Sequence, residues 1–321
     1  MSTFTSSAQL FGHATAQAPG KVNLSLAVGE PREDGYHPVA TLFLAVSMVE
    51  EVTATPRDDG LVTVSLSDAS SVFSDPDTIP LDQSNLAVKA ARLLRDYLGL
   101  DEENHGVHLE ITKQVPVAGG MGGGSADAAA ALAACAGLWD AGLSRDQLAR
   151  IGAPLGADVP FAVTGGAAVG RGVGDELTPL LSREPLHLVL VPASQGLSTP
   201  RVYGALDTLR ADGVLDAPAT APDVSPELIQ ALVSGHAESV ALLMSNDLQV
   251  PAASLVPELS EMIEIGMEEG ALAGQVSGSG PTVMFVTRSA EDSMQLAARI
   301  QDRTGVAAVP VHGPYPGARL L

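Results

Sequence analysis

This chain of 321 residues is short of several things at once. It has a single cysteine, Cys135, so no intrachain disulfide can form, which fits a reducing, cytoplasmic setting. Lying in an alanine-rich stretch, that thiol reads as a small core residue rather than a nucleophile. Aromatics are few, with one Trp, four Tyr and six Phe, so the cores must be built from Ala, Val and Leu. Cations are few as well: 17 Lys and Arg against 38 Asp and Glu leave a formal net charge of −21. That balance argues against nucleic-acid and anionic-membrane partners, which need basic surface. It leaves room for an anionic small ligand, because a pocket can differ in sign from the whole. No apolar run approaches a membrane span, and no Lys or Arg precedes Lys21, so neither a transmembrane helix nor a secretory signal is expected. The seven histidines show no zinc-ligand spacing with cysteine.

What the chain does have is 45% hydrophobic residues, enough for one large or two medium domains, and a concentration of glycine. Pro116 to Ala128 reads P-V-A-G-G-M-G-G-G-S-A-D-A, with five glycines in the six positions Gly119 to Gly124 around Met121. Before it, Val107, Leu109 and Ile111 alternate with His108, Glu110 and Thr112, a strand period. After it, Ser125 is a good N-cap and Ala126 to Trp139 is rich in helix formers. A glycine loop feeding a helix aims unpaired N–H groups and the positive end of the helix dipole at one point, a natural seat for phosphate. A flexible turn is the plainer reading of such a cluster. No Lys-Ser or Lys-Thr follows the last glycine and no G-x-G-x-x-G fits, so both familiar nucleotide loops are disfavoured.

Along the rest of the chain, strands are expected at 22–28, 41–55, 61–66, 186–191, 273–277, 282–287 and 306–311. Pro310 confines the end of the last of these to a sheet edge. Helices are expected from Ser84 to Leu98, from Ser144 to near Gly152, at 227–243, at 257–269 and from Ser289 to about Arg303. Gly156 to Pro160 breaks regularity, and a domain change is placed in the glycine-rich 165–174 passage. Strands and helices mix without strict βαβ alternation, which argues α+β, and no internal repeat is visible.

Three small-residue turns join apolar sequence: Ala18 to Leu24 (A-P-G-K-V-N-L), the glycine loop, and Val276 to Thr282 (V-S-G-S-G-P-T). Their order and spacing resemble the three motifs of the GHMP kinase superfamily, over essentially the whole chain. Ala18 to Phe43, with K-V-N-L-S-L, D-G-Y-H and T-L-F, and the L-G-A-D-V-P-F of Leu155 to Phe161 narrow the resemblance. They look like the branch that phosphorylates a cytidine diphosphate conjugate of methylerythritol. The resemblance implies a two-domain GHMP fold, a ribosomal-protein-S5-like N-terminal domain at 1–172 and a ferredoxin-like C-terminal domain at 173–321. The last strand is a candidate to return to the first domain, and the active site would lie in the cleft between them. It also implies ATP and Mg²⁺ as cofactors, and a monomer or weak homodimer.

Read alone, Lys21 is a solvated lysine by default, and Asp158 is either a cap or a functional carboxylate. The resemblance makes Asp158 the general base and Lys21 the group that polarises the acceptor hydroxyl and orients Asp158. It puts Asn23 near the substrate hydroxyls. Tyr36 would stack on one face of the cytosine, Tyr203 on the other, and His37 would hydrogen-bond the base. The backbone from Pro116 through Val117, Ala118, Gly119, Gly120, Met121, Gly122, Gly123, Gly124 and Ser125 to Ala126 would hold the ATP phosphates. Ser125 is also a candidate for a phosphate or Mg²⁺ contact, and Asn85 for the adenine side. Met121 replaces the frequent Leu, a near-isosteric swap. Asp127 replaces a frequent Asn; it either helps hold Mg²⁺ or faces away, and the helix dipole favours the second reading.

Overall fold

The computed structural model describes residues 12–71, 78–193 and 196–321. A long hairpin founds the first sheet: β1 (Ala14–Val28) and β2 (Val39–Arg57) pair antiparallel, with register shifts between Pro19 and Lys21 and between Asn23 and Ser25. β3 (Val62–Leu66) runs parallel to β4 (Gly106–Thr112), which lies against the far end of β2. β5 (Ala167–Arg171) pairs with the near end of β2, and β6 (Glu176–Leu180) pairs with β5. The chain then gives β7 (Leu186–Val191) to a second sheet and returns β8 (Ser245–Asn246) to β1. β9 (Ala273–Val276), β10 (Val283–Thr287) and β11 (Val309–Gly313) complete the second sheet in the order β11–β7–β10–β9. β12 (Arg319–Leu320) pairs with β1. Pro310 falls in β11, an edge strand, where its missing N–H costs no ladder bond.

Helices α1 (Leu86–Leu98), α2 (Gly123–Leu138), α3 (Arg145–Gly152) and α4 (Asp158–Thr164) back the first sheet. α2 is alanine-rich and, but for Asp127, apolar all round, and from Ala126 to Gly137 every residue is buried, as a central helix requires. Small side chains let it sit close to α1 and to the β1–β2 hairpin, so scarcity of aromatics becomes close packing of backbone. α5 (Thr199–Ala211), α6 (Pro226–Ser234), α7 (Ala237–Leu243), α8 (Gln249–Leu255), α9 (Glu258–Glu268) and α10 (Ala290–Thr304) follow. They pack mainly around the second sheet, whose core is Val, Leu and Ala with the buried Phe285.

Several local expectations are corrected. Gly122, in the left-handed region at φ +69°, precedes α2 as its N-cap, and Ser125 is the helix's third residue. Asn85, not Ser84, caps α1, its Oδ1 accepting the Ala87 N–H. The expected 227–243 helix is two, because Gly235 (φ +75°) ends α6 in a left-handed cap. The 156–160 break contains the start of α4, since Pro160 lies in a first turn where its missing N–H is harmless. β1 begins eight residues before the expected Val22.

Candidate active site

The β1 irregularities place Lys21 and Asn23 on one face, two residues apart, over the glycine loop. The Lys21 N–H donates to the Met121 carbonyl (2.9 Å), which ties the strand to the loop. The Lys21 ammonium donates to Asn23 Oδ1 (2.9 Å) and to the Gly120 carbonyl (2.9 Å). It lies 3.7 Å from Asp158 Oδ2 and 5.5 Å from the centre of the Phe43 ring. Asn23 is fixed in turn: its Nδ2 donates to Thr41 Oγ1 (2.7 Å), and that hydroxyl donates to the Ser25 carbonyl (2.7 Å). The amide oxygen can therefore face only the lysine.

Asp158 opens α4, where the helix dipole favours its charge. Its carboxylate is about a third exposed, toward the cleft, whereas the lysine beside it is nearly buried. An ammonium so placed attracts the carboxylate and aims it.

The Val276 to Thr282 turn closes the same centre. The Ser277 hydroxyl reaches the Gly120 carbonyl at 3.4 Å, and the Thr282 N–H donates to the Gly119 carbonyl at 3.3 Å. Gly278 comes so close that a Cβ there would stand 3.0 Å from Asn23 Oδ1 and 3.1 Å from the Gly120 carbonyl. One carbonyl, that of Gly120, is thus touched by all three motifs.

Around this centre lies a cavity of about 540 Å³, floored by the glycine loop and walled by Thr199, Tyr203 and Ser279 from the second half of the chain. The first amides of α2, at Gly123, Gly124 and Ser125, have no carbonyl partner inside the helix and border this cavity. That arrangement is a ready anion seat.

Known proteins carry the same pattern. The "GHMP kinases N terminal domain" model matches residues 85–166, and "GHMP kinases C terminal" matches residues 228–305. A 4-diphosphocytidyl-2-C-methyl-D-erythritol kinase from Arthrobacter sp. (strain FB24) is 54% identical over 308 residues, covering 95% of this chain and 94% of the relative. One of the same name from Paenarthrobacter aurescens (strain TC1) is 52% identical, covering 95% of each chain. The chain belongs to the GHMP kinases. A crystal structure of 4-(cytidine 5'-diphospho)-2C-methyl-D-erythritol kinase superposes with a TM-score of 0.72 at 30% identity, over 93% of this chain and 98% of the other. The two-domain GHMP kinase fold follows, with Lys21, Asn23, Asp158 and the loop gathered in its cleft.

Not every residue singled out in the sequence reaches that cleft. Of the loop residues, Pro116, Ala118, Gly119, Gly120, Gly122, Gly123, Gly124 and Ser125 line it. Met121 and Ala126 face the core and are fully buried. Both ends of the Asn85 side chain are taken, Oδ1 by the Ala87 N–H and Nδ2 by the Pro80 carbonyl, so it serves the α1 cap rather than an adenine. Tyr203 lines the cavity, and burial together with the charges of Asp158 and Asp247 pushes its phenol up to about 12, so it stays neutral. His37 is buried 5.1 Å from the Tyr203 ring and hydrogen-bonds Asp207 through Nε2 at 2.8 Å. Tyr36 stands 65% exposed on the loop between β1 and β2, outside the cavity wall. Asp127 faces away from the cavity, against Lys113 at 2.7 Å.

Phe43 and Asp207 carry no local motif. Phe43 is visible in sequence only as the end of T-L-F, and Asp207 only as one turn beyond Tyr203 on α5.

Proposed function

We propose that this GHMP kinase transfers the γ-phosphoryl group of ATP to the 2-hydroxyl of 4-diphosphocytidyl-2-C-methyl-D-erythritol, a step of non-mevalonate isoprenoid synthesis, in the cytoplasm. The observation that carries the reading is the joining of Lys21, Asp158 and the Gly120 carbonyl at the mouth of an amide-lined loop, in a chain half identical to kinases of that name. Phosphoryl transfer asks for positioning, charge neutralisation and a proton acceptor. Asp158 takes the proton of the acceptor hydroxyl as its oxygen attacks the γ-phosphorus, the bond to the β,γ-bridging oxygen breaks and ADP leaves. Lys21 orients Asp158 and draws electron density from that hydroxyl. Asn23, locked by Thr41, fixes where the lysine points. The α2 amides bind the phosphoryl oxygens and stabilise the charge they gain. Tyr203 offers its face to the cytosine, and Tyr36 would close on the other face from its exposed loop, with His37 at the base.

Among the described residues, no three His, Cys, Asp or Glu side chains cluster as a metal site. The loop's Ser125 hydroxyl and the Asp158 carboxylate are among the oxygen groups lining the cavity. Such a donor set suits Mg²⁺ held mainly by phosphate oxygens, with Ser125 as its protein contact. Bound there, the ion would neutralise phosphate charge.

The test is a substrate panel. Purified protein should consume ATP with Mg²⁺ when the cytidine diphosphate methylerythritol conjugate is supplied, and not with homoserine or mevalonate. Equal turnover of either alternative would sink the assignment.

A further inference from the structure

Beneath the glycine loop, on the side away from the cleft, three charged side chains are almost wholly buried: Glu50 on β2, Lys113 just after β4, and Asp127 on α2. The Lys113 ammonium donates to Glu50 Oε1 at 2.5 Å and to Asp127 Oδ2 at 2.7 Å. Glu50 also accepts the Gln114 N–H at 2.8 Å and the Val115 N–H at 3.3 Å. The cluster presses directly on the loop, because a Cβ on Gly123 would stand 3.2 Å from Lys113 Nζ and 3.3 Å from Glu50 Oε1.

A buried ion cluster is poor value for stability, since packed apolar residues would serve as well or better. Its placement suggests a different use. Gln114 and Val115 immediately precede the Pro116 start of the loop, and Asp127 immediately follows its end. One ammonium therefore bridges both ends, and Glu50 fixes that bridge to the rigid β1–β2 hairpin that also carries Lys21. Among the described residues, Lys113 is the one hydrogen-bond donor to the Asp127 carboxylate, one turn into α2.

We propose that Glu50, Lys113 and Asp127 are positioning residues for nucleotide binding, a staple that holds the amides of Gly123, Gly124 and Ser125 at the spacing the phosphates require. The inference rests on the reading of the loop as the nucleotide's phosphate site. The staple acts on the nucleotide alone, because it touches neither the cleft wall formed by the second half of the chain nor the 29–38 loop.

Asp127→Ala tests it while the Lys113 ammonium keeps its hydrogen bond to Glu50. The KM for ATP and the Kd for Mg-ADP, read by calorimetry, should each rise about tenfold, the scale of one charge-assisted hydrogen bond. The KM for the acceptor should hold, and Asp127→Asn, which keeps an acceptor oxygen for Lys113, should recover most of the loss. If Asp127→Ala does not fold, Asp127→Leu, near-isosteric but without an acceptor, is measured the same way and should show the same split. Unchanged Mg-ADP affinity in a folded variant, or equal loss for nucleotide and acceptor, would overturn the staple. Wild-type protein that binds no Mg-ADP at all would instead overturn the nucleotide reading beneath it.

Discussion

Gly120→Ala probes the centre of the site with a single methyl group. Gly120 sits at φ +75°, where a side chain costs about 1–2 kcal/mol in backbone strain. The larger effect is contact. A Cβ built there lies 2.1 Å from the Ser277 carbonyl oxygen and 2.9 Å from the Gly280 N, where ordinary contact begins at 3.4 Å. Both neighbours are backbone and cannot rotate aside, so the glycine loop and the 276–282 turn must part by more than an ångström. The Gly120 carbonyl also receives the Lys21 ammonium, so the lysine shifts with it. A misplacement on that scale costs about 10²-fold in rate, and that is the loss of kcat expected in a coupled ATP-consumption assay. Gly213→Ala separates strain from clash: Gly213 has φ +69° with nothing within 4 Å of its Cβ, beyond the end of α5. It should lose about 1–2 kcal/mol of stability and no activity. A folded Gly120→Ala protein with wild-type kcat would show that the meeting of the three motifs does not set the catalytic geometry.

Asp158→Asn should lower kcat by about 10² to 10⁴ while Mg-ADP affinity holds, and turnover near wild type would remove Asp158 as the base. Cys135 is fully buried and burial pushes its thiol well above its ordinary range, so the native protein should resist thiol reagents that react at once after denaturation; fast native labelling would contradict that packing. Burial and the Asp127 charge push Glu50 up to about 8 from an ordinary 4.5, so the folded chain keeps a proton that the unfolded chain releases. Stability should therefore fall as pH rises from about 4.5 to about 8, and denaturant melts of Glu50→Gln should show a shallower slope, the remainder coming from buried Asp127, whose carboxyl is raised as well. Raising ionic strength at fixed free Mg²⁺ should leave the KM for ATP flat or lower it, and a steep rise would show that side-chain charge, rather than backbone, holds the nucleotide.

Where a segment's own residues decide its state, the sequence was readable. β7 matches its expected 186–191 span because a run that is apolar but for His187 has nowhere to go but a sheet interior. The α3 start is a full capping box between Ser144 and Gln147, and Ser289 accepts the Asp292 N–H at the head of α10. Reading failed where glycine took a role that a polar residue usually fills, as Gly122 did ahead of Ser125. The site divides along the same line. Each motif is local and visible, but the contact between Lys21 and Asp158 joins residues far apart in sequence and exists only because β1 and α4 flank α2. Lys113 gave no signal at all, since its importance lies entirely in what it bridges.

The opposition between a net charge of −21 and the two polyphosphate ligands of the proposed reaction resolves at the cleft. Among the residues lining it, Lys21 is the one cation, and it is already engaged by Asn23, Gly120 and Asp158. Side-chain charge is thus spent on the reaction centre rather than on holding phosphates. On the proposed reading that task falls to backbone N–H groups at the start of α2, which any sequence of small residues can present. Glycine makes the close approach possible, and alanine lets the helix behind it be buried on every side. A binding site built from backbone needs no basic surface, so the rest of the chain is free to be acidic. The same economy explains why the staple under the loop matters: amides without flexible side chains cannot adjust to a ligand, so their spacing has to be set from below.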